Sequence, residues 1–345
     1  MRRMILYILL TAILVNIPVF GQQKVHVVTT LSTYADIAKQ IGGNHVNVTY
    51  LVQGNQNAHF IRPKPSYAKL MASADLFVTT GLDLEIWVPT LVEMSKNPNI
   101  RSGQKGFVAA ADGVPLLEKP VTMSREEGDL HIYGNPHIVT GPQNIPIIAR
   151  NILIGLKKVD PQHAADYQRN FETFRTTYYQ FLYGEELVNL LGENVLQSLA
   201  EQGNLIPFLK SKQFKGKYLI DFAGGLLKKG SVLYGKKIVA YHKNWVYLNS
   251  FLGLEVIGYV EPKPGIPPSP KHVKELIDEM KEKQVKVVLA ANYFDEKKVN
   301  DICEKVGAIP VIVPMGVDKT LGLNSIFDVM TFWVDGLVNA YLQTE

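Results

Sequence analysis

Cysteine is almost missing: Cys303 is the only one in 345 residues. No internal disulfide can therefore form, and no cysteine stands near the N-terminus to carry a lipid. Cys303 lies in DEKKVNDICEKVG, a helical pattern, and is expected as a half-buried apolar residue. The sequence also has no HExxH, CxxC, GxGxxG or P-loop pattern, which leaves no short motif for a helix-borne zinc site, a redox pair or a phosphate cradle. GGLLKKG at 224–230 reads as a turn and a helix. An excess of charge is missing too. Lys and Arg number 36 against 32 Asp and Glu, a net charge of +4; without Arg2 and Arg3 the balance is 34 to 32. Nothing in that balance suggests nucleic acid. Beyond residue 20 no apolar run approaches the ~20 residues of a membrane span.

What is present is ordinary globular composition, 46% hydrophobic and 20% charged, over a length sufficient for two domains. Met1 to Gly21 has the form of a secretory signal peptide, with Arg2 and Arg3 as the basic start, Ile5 to Val15 as the apolar run and Val19-Phe20-Gly21 as the cleavage site. The mature chain would begin near Gln22. Left uncleaved, Ile5 to Phe20 would act as an anchor.

Period and punctuation then predict alternating strands and helices. Strands are expected at Lys24–Thr30, Val46–Val52, Asp75–Thr79, Gly106–Ala110, Tyr218–Phe222, Lys237–Tyr241, Leu254–Val260, Val285–Ala290 and Ile309–Val313. Helices are expected at Tyr34–Ile41, from Ser66, from Gly81, at Asn144–Lys158, Pro270–Lys283 and Lys297–Val306, and from Ile326. Asn244 is a candidate cap for a helix that Gly253 ends. Such alternation argues an α/β fold with parallel sheets, one type used in each half. Asp160-Pro161 opens a breaker-free helical stretch, AADYQRNFETFRTTYYQFLY, which is a candidate rigid connector, and from there to Leu191 the pattern stays helical. Phe171, Phe174, Tyr178, Phe181 and Leu182 form its apolar face.

Chemistry is concentrated in histidines on loops. His242 sits where the strand Lys237–Tyr241 hands over to a helix, the place where open α/β sheets hold ligands. His59 follows the second strand, in a loop stiffened by Pro63 and Pro65, and His137 stands in GNPHIVTGP, with His131 six residues before it. Each alone is an ordinary loop histidine. Together, neutral imidazoles on rigid loops in both halves are what a transition-metal site needs, and imidazole suits zinc. His26, His45, His163 and His272 read as surface or packing residues. Asp83, Glu85 and Trp87 fit a helix start and packing.

The stretch HFIRPKPSYAKLMASADLFVTTGLDLEIW resembles the first signature of the metal-binding subunits of ABC importers, the zinc and manganese solute-binding proteins. GNPHIVTGP is similar to the second signature, usually DPHxWLDP, and VAYHKNWVYLNSFLGLEVIGYVEPKPGIPPSP to the third. The resemblance implies two α/β lobes, each with a mostly parallel sheet flanked by helices, joined by one long rigid helix. The corresponding bounds are 22–158, 159–184 for the connector, and 185–345. It implies His59, His137 and His242 as ligands of a divalent metal, zinc ahead of manganese, carried as cargo rather than used in catalysis. It further implies a periplasmic protein acting as a monomer and delivering metal to an inner-membrane ABC permease with its ATPase.

Three departures qualify it. The usual fourth ligand falls on Val313 in VIVPMG, and valine cannot coordinate. Water, Asp295, His131 or Asp318, with the residues in that order, are the candidates. IVT replaces the WLD of the second signature, which removes an outer carboxylate. Residues from about Glu185 to Lys236 look like an insertion, and the histidine-rich loop of zinc members is absent. Rival readings are a three-histidine zinc hydrolase, a solute-binding protein for an organic ligand or metal chelate, and an adhesin of the same family. Metal affinity is expected to fall as pH drops through the histidine range near ~6.5.

Overall fold

The structure is a computed structural model that describes residues 24–119, 131–263 and 265–344; the expected signal peptide, Met1 to Gly21, lies outside the described residues. The first half gives β1 (Val25–Leu31), α1 (Ser32–Gly42), β2 (Val46–Val52), α2 (Pro65–Ala72), β3 (Leu76–Thr79), α3 (Val88–Ser95), β4 (Phe107–Ala109) and α4 (Ile145–Val159). Next come α5 (Ala164–Tyr183), α6 (Glu185–Leu191), α7 (Glu193–Glu201), α8 (Leu205–Ser211), the short strands β5 (Gln213–Phe214) and β6 (Lys217–Tyr218), and α9 (Gly225–Gly230). The second half holds β7 (Lys237–Ala240), α10 (Val246–Leu252), β8 (Glu255–Tyr259), α11 (Pro270–Glu282), β9 (Val287–Ala291), α12 (Glu296–Val306), β10 (Ile309–Val313) and α13 (Ile326–Leu342).

Two four-stranded sheets form, in the orders β2-β1-β3-β4 and β8-β7-β9-β10. All their pairings are parallel, so the two halves use one topology twice. The reason lies in the strands' composition. β3 (LFVT) and β9 (VVLAA) are buried at every position, and a strand apolar on both faces needs helices on both sides of its sheet. In each sheet the first strand of the set is flanked by the next two, which opens a crevice at the carboxyl ends.

α5 spans roughly 30 Å at 1.5 Å per residue. It packs on α1 and α4 of the first half and on α9, which packs in turn on α13 of the second, burying Tyr167, Phe171, Phe174, Tyr178 and Leu182. α5 ends at Tyr183, where the connector was expected to end, and the helical pattern resumes as α6 to Leu191 after Gly184, whose φ is 82°. A Cβ there would lie 2.5 Å from Gly224 Cα, so the close backbone crossing requires glycine.

The expected strand at Tyr218–Phe222 does not form. Asp221 Oδ2 accepts the Tyr218 backbone N–H, so residues 219–222 curl into a 3-10 turn. The helix expected from Gly81 is divided into a 3-10 turn, Asp83–Glu85, and α3. Asn244 makes no side-chain cap: it lies in the 3-10 turn Lys243–Trp245, while Gly253 does end α10, with φ 69°. Cys303 is buried rather than half-buried, at 2% exposure, and burial pushes its thiol up to about 12. Among the described residues no helix is long and apolar enough to cross a membrane.

Candidate metal centre

Three loops at the carboxyl ends of the strands deliver His59, His137 and His242 to one place. One ligand atom from each lies within 4.8 Å of the others. His59 rides the 3-10 turn Ala58–Phe60, which the Asn57 side chain caps by accepting the His59 backbone N–H. The Trp87 indole donates to Ala58 O at 2.7 Å and pins the same turn to α3. His137, 3% exposed, starts the 3-10 turn Ile138–Thr140. Its Nε2 stands 3.1 Å from His59 Nε2. His242 follows β7 and is buried, with its ring centroid 5.3 Å from that of His137 and 6.0 Å from that of His59.

The nitrogens turned away from the centre are held. Asn135 Oδ1 lies 3.0 Å from His137 Nδ1, and Glu261 Oε2 lies 2.6 Å from His242 Nδ1. Both partners accept, so each imidazole donates from Nδ1 and leaves Nε2 with a lone pair. His242 Nε2 is buried without a hydrogen-bond partner among the described residues, as is His131 Nε2. Orphaned imidazole nitrogens beside a close pair of others are what a transition metal would satisfy.

Electrostatics agree with that fit. Burial, followed by the His131 and His242 imidazoles, pushes His59 down to about 3. Burial and then His242 push His131 down to about 4. His137 falls well below its ordinary value through burial, His59, His242 and His131, in that order. An imidazole must be neutral to bind metal, and these three stay neutral.

The candidates for a fourth ligand separate clearly. The His131 ring stacks on His59, centroids 5.2 Å apart. Asp295 is exposed and caps α12, its Oδ1 accepting the Lys298 N–H. Asp318 holds the Thr320 backbone and hydroxyl through Oδ1. None of the three belongs to the cluster that unites His59, His137 and His242, and His131 Nε2 and Asp318 Oδ2 are both buried without a hydrogen-bond partner among the described residues. A cavity of about 30 Å³ beside His59 and His137, lined also by Ser32, Gln56 and Tyr293, has room for about two waters.

Two supports were hidden in the sequence. Glu261 sits in VEPKPG, where its partner becomes visible only once β7 and β8 pair. Glu85, read as packing, is 3% exposed and gathers the ends of β1 and β3 by accepting from Thr30, Thr79 and Thr80. The other histidines lie apart from the centre. His45 stacks on His163 at 3.9 Å and meets Asp166, His272 donates to Tyr259 O, and His26 is exposed.

Comparison with known proteins bears on the family and the fold. The model of the ZnuA family, described as the periplasmic component A of the zinc-uptake complex, matches residues 27–181 and 229–340. The gap between the two parts, 182–228, overlaps most of the stretch that reads as an insertion. A metal ABC transporter substrate-binding lipoprotein, ScbA of Streptococcus cristatus, is 30% identical over 158 residues, 45% of this chain and 48% of its own length. The manganese ABC transporter substrate-binding lipoprotein PsaA of Streptococcus pneumoniae is 30% identical over 156 residues, 44% and 47% of the two chains. The match thus spans about half the length of these relatives. Among solved structures, ZnuA superposes with a TM-score of 0.66 at 21% identity, over 92% of this chain and 99% of its own. FpvC from Pseudomonas aeruginosa, in complex with Mn2+, gives 0.67 at 21% identity over 94% and 100%. At such identity the likeness is one of fold, but the family match covers well over half of the sequence: the chain belongs to the ZnuA family.

Proposed function

We propose that this protein is a non-catalytic solute-binding protein that captures a divalent transition metal, zinc in preference to manganese, and hands it to an ABC permease and its ATPase. The observation that carries the reading is the convergence of three imidazoles, His59, His137 and His242, from loops of both halves. Their all-nitrogen character favours zinc, since manganese prefers carboxylate and other oxygen donors. We take His131 as the fourth ligand ahead of Asp295 and Asp318, with water in the neighbouring cavity as its alternative.

In this reading residues 22–158 and 185–345 are the lobes and 159–184 the connector, and the protein works as a periplasmic monomer. The ion exchanges its water shell for imidazoles, and Asn135 and Glu261 keep the lone pairs aimed inward. Release then requires the loops carrying His59 or His242 to loosen. The small cavity argues against an organic solute or a chelate, and among the described residues no carboxylate joins the cluster to act as a general base for hydrolysis.

Calorimetric titration of chelator-stripped protein with zinc and with manganese, alongside His242→Ala, tests this. Tight one-to-one zinc binding that weakens by orders of magnitude in the variant is expected. Absence of binding for both metals would overturn the reading.

A further inference from the structure

We propose that Glu261 is the positioning residue of this centre, supplying from the second half the outer carboxylate that the IVT of the second signature does not provide. The inference rests on the metal-capture reading. Its starting observation is the 2.6 Å contact between Glu261 Oε2 and His242 Nδ1, with the Glu261 side chain 14% and the His242 side chain 6% exposed.

An irregularity in the sheet brings the pair together. β7 and β8 run in parallel register as Lys237↔Glu255 and Ile238↔Val256, and then the register shifts, giving Val239↔Gly258 and Ala240↔Tyr259. One extra residue has entered β8. Continued past the strand ends, the shifted register sets His242 opposite Glu261; without the extra residue the position opposite would be Val260, which can accept no proton. Backbone bonds extend the ladder that far, Val260 N to Ala240 O at 3.0 Å and Glu261 N to Tyr241 O at 2.9 Å. Bulges of this kind re-aim side chains at sites.

The chemical consequence follows from the acceptor-only character of a carboxylate. It fixes the His242 proton on Nδ1 and leaves Nε2, buried and without a hydrogen-bond partner among the described residues, facing the centre. It also sets one negative group behind a ligand shell that is otherwise neutral, which raises the basicity of His242 toward a divalent ion.

Long-range nitrogen NMR of the metal-free full chain reads the tautomer directly, and competition against a chromophoric chelator reads zinc affinity. Wild type should show His242 protonated on Nδ1. Glu261→Ala should lose that preference and bind zinc roughly 10–100-fold more weakly. Glu261→Gln, whose amide oxygen can still accept, should keep the tautomer and lose less affinity. A merely structural role would shift the melting temperature and leave the tautomer in place. An Nε2–H tautomer in wild type, or unchanged zinc affinity in Glu261→Ala, would overturn the proposal. If wild type shows the Nδ1–H tautomer and Glu261→Ala loses it while neither binds zinc, the hold on His242 is supported and it is the capture reading that fails.

Discussion

Burial among other imidazoles keeps His59 and His131 neutral, and the same burial makes the metal-free protein sensitive to acid. In the unfolded chain an imidazole titrates near ~6.5, whereas in the fold these two titrate near about 3 and about 4. Between those limits the unfolded chain binds more protons, so stability falls as pH drops below ~6.5, by up to about 1.4 kcal/mol per unit for each residue. Asp36, raised by burial to about 6, acts in the opposite sense between its unfolded and folded values. A variant therefore isolates the effect. Urea unfolding of metal-free wild type at pH 7.5 and 5 should show a loss about 2 kcal/mol larger than that of His59→Gln; equal losses would contradict the assignment. The lowered values also move proton competition for His59, His131 and His137 below the ~6.5 expected from unperturbed histidines. At the same scale, Asp295→Ala should cost about 1 kcal/mol through loss of the α12 cap and leave zinc affinity unchanged, which calorimetry would check. The histidines were legible as residues because proline and glycine marked their loops. Glu261 was not, because its role depends on a register shift that neighbouring sequence does not encode.

Elements decide how rigidly the loops present those residues. The Trp87 indole reaches across from the turn before α3 to hold Ala58 O, so one hydrogen bond ties the His59 turn to its own half. Trp87→Phe should cost about 1 kcal/mol of stability and weaken zinc binding several-fold, whereas unchanged binding would show that the turn is held by other contacts. On the opposite wall, Tyr247 of α10 donates to Asn135 O at 2.6 Å, and Asn135 donates to Lys243 O at 2.8 Å. The loop of His137 is thereby fastened to the segment of His242. Most strands could be read from β-branched runs, and Gly253 was read correctly as the end of α10. The reading failed where side chains competed for backbone groups, as Asp221 does for Tyr218.

Across the whole molecule, the connector and direct contacts between the halves act together. Asp36 accepts the Ile326 N–H at 2.8 Å, Met315 N donates to Gly54 O at 2.8 Å, and Thr140 donates to Asn244 O at 2.9 Å. With α5 packed on helices of both halves, a wide hinge would have to break all of these. Small-angle scattering with and without zinc should therefore give the same radius of gyration, with changes confined to the loops; a clear contraction would mean hinge closure. The two-sheet architecture was legible because strands and helices alternate and because a long breaker-free helix divides them. The contacts between the halves were not, since they join residues 104 to 290 positions apart.

The central claim is that imidazoles from both halves hold one ion, and X-ray absorption at the zinc edge of the loaded protein tests it most directly. Three or four imidazole nitrogens at about 2.0 Å, falling by one in His242→Ala, is the predicted shell. A shell of oxygens, or one that the substitution leaves unchanged, would contradict it.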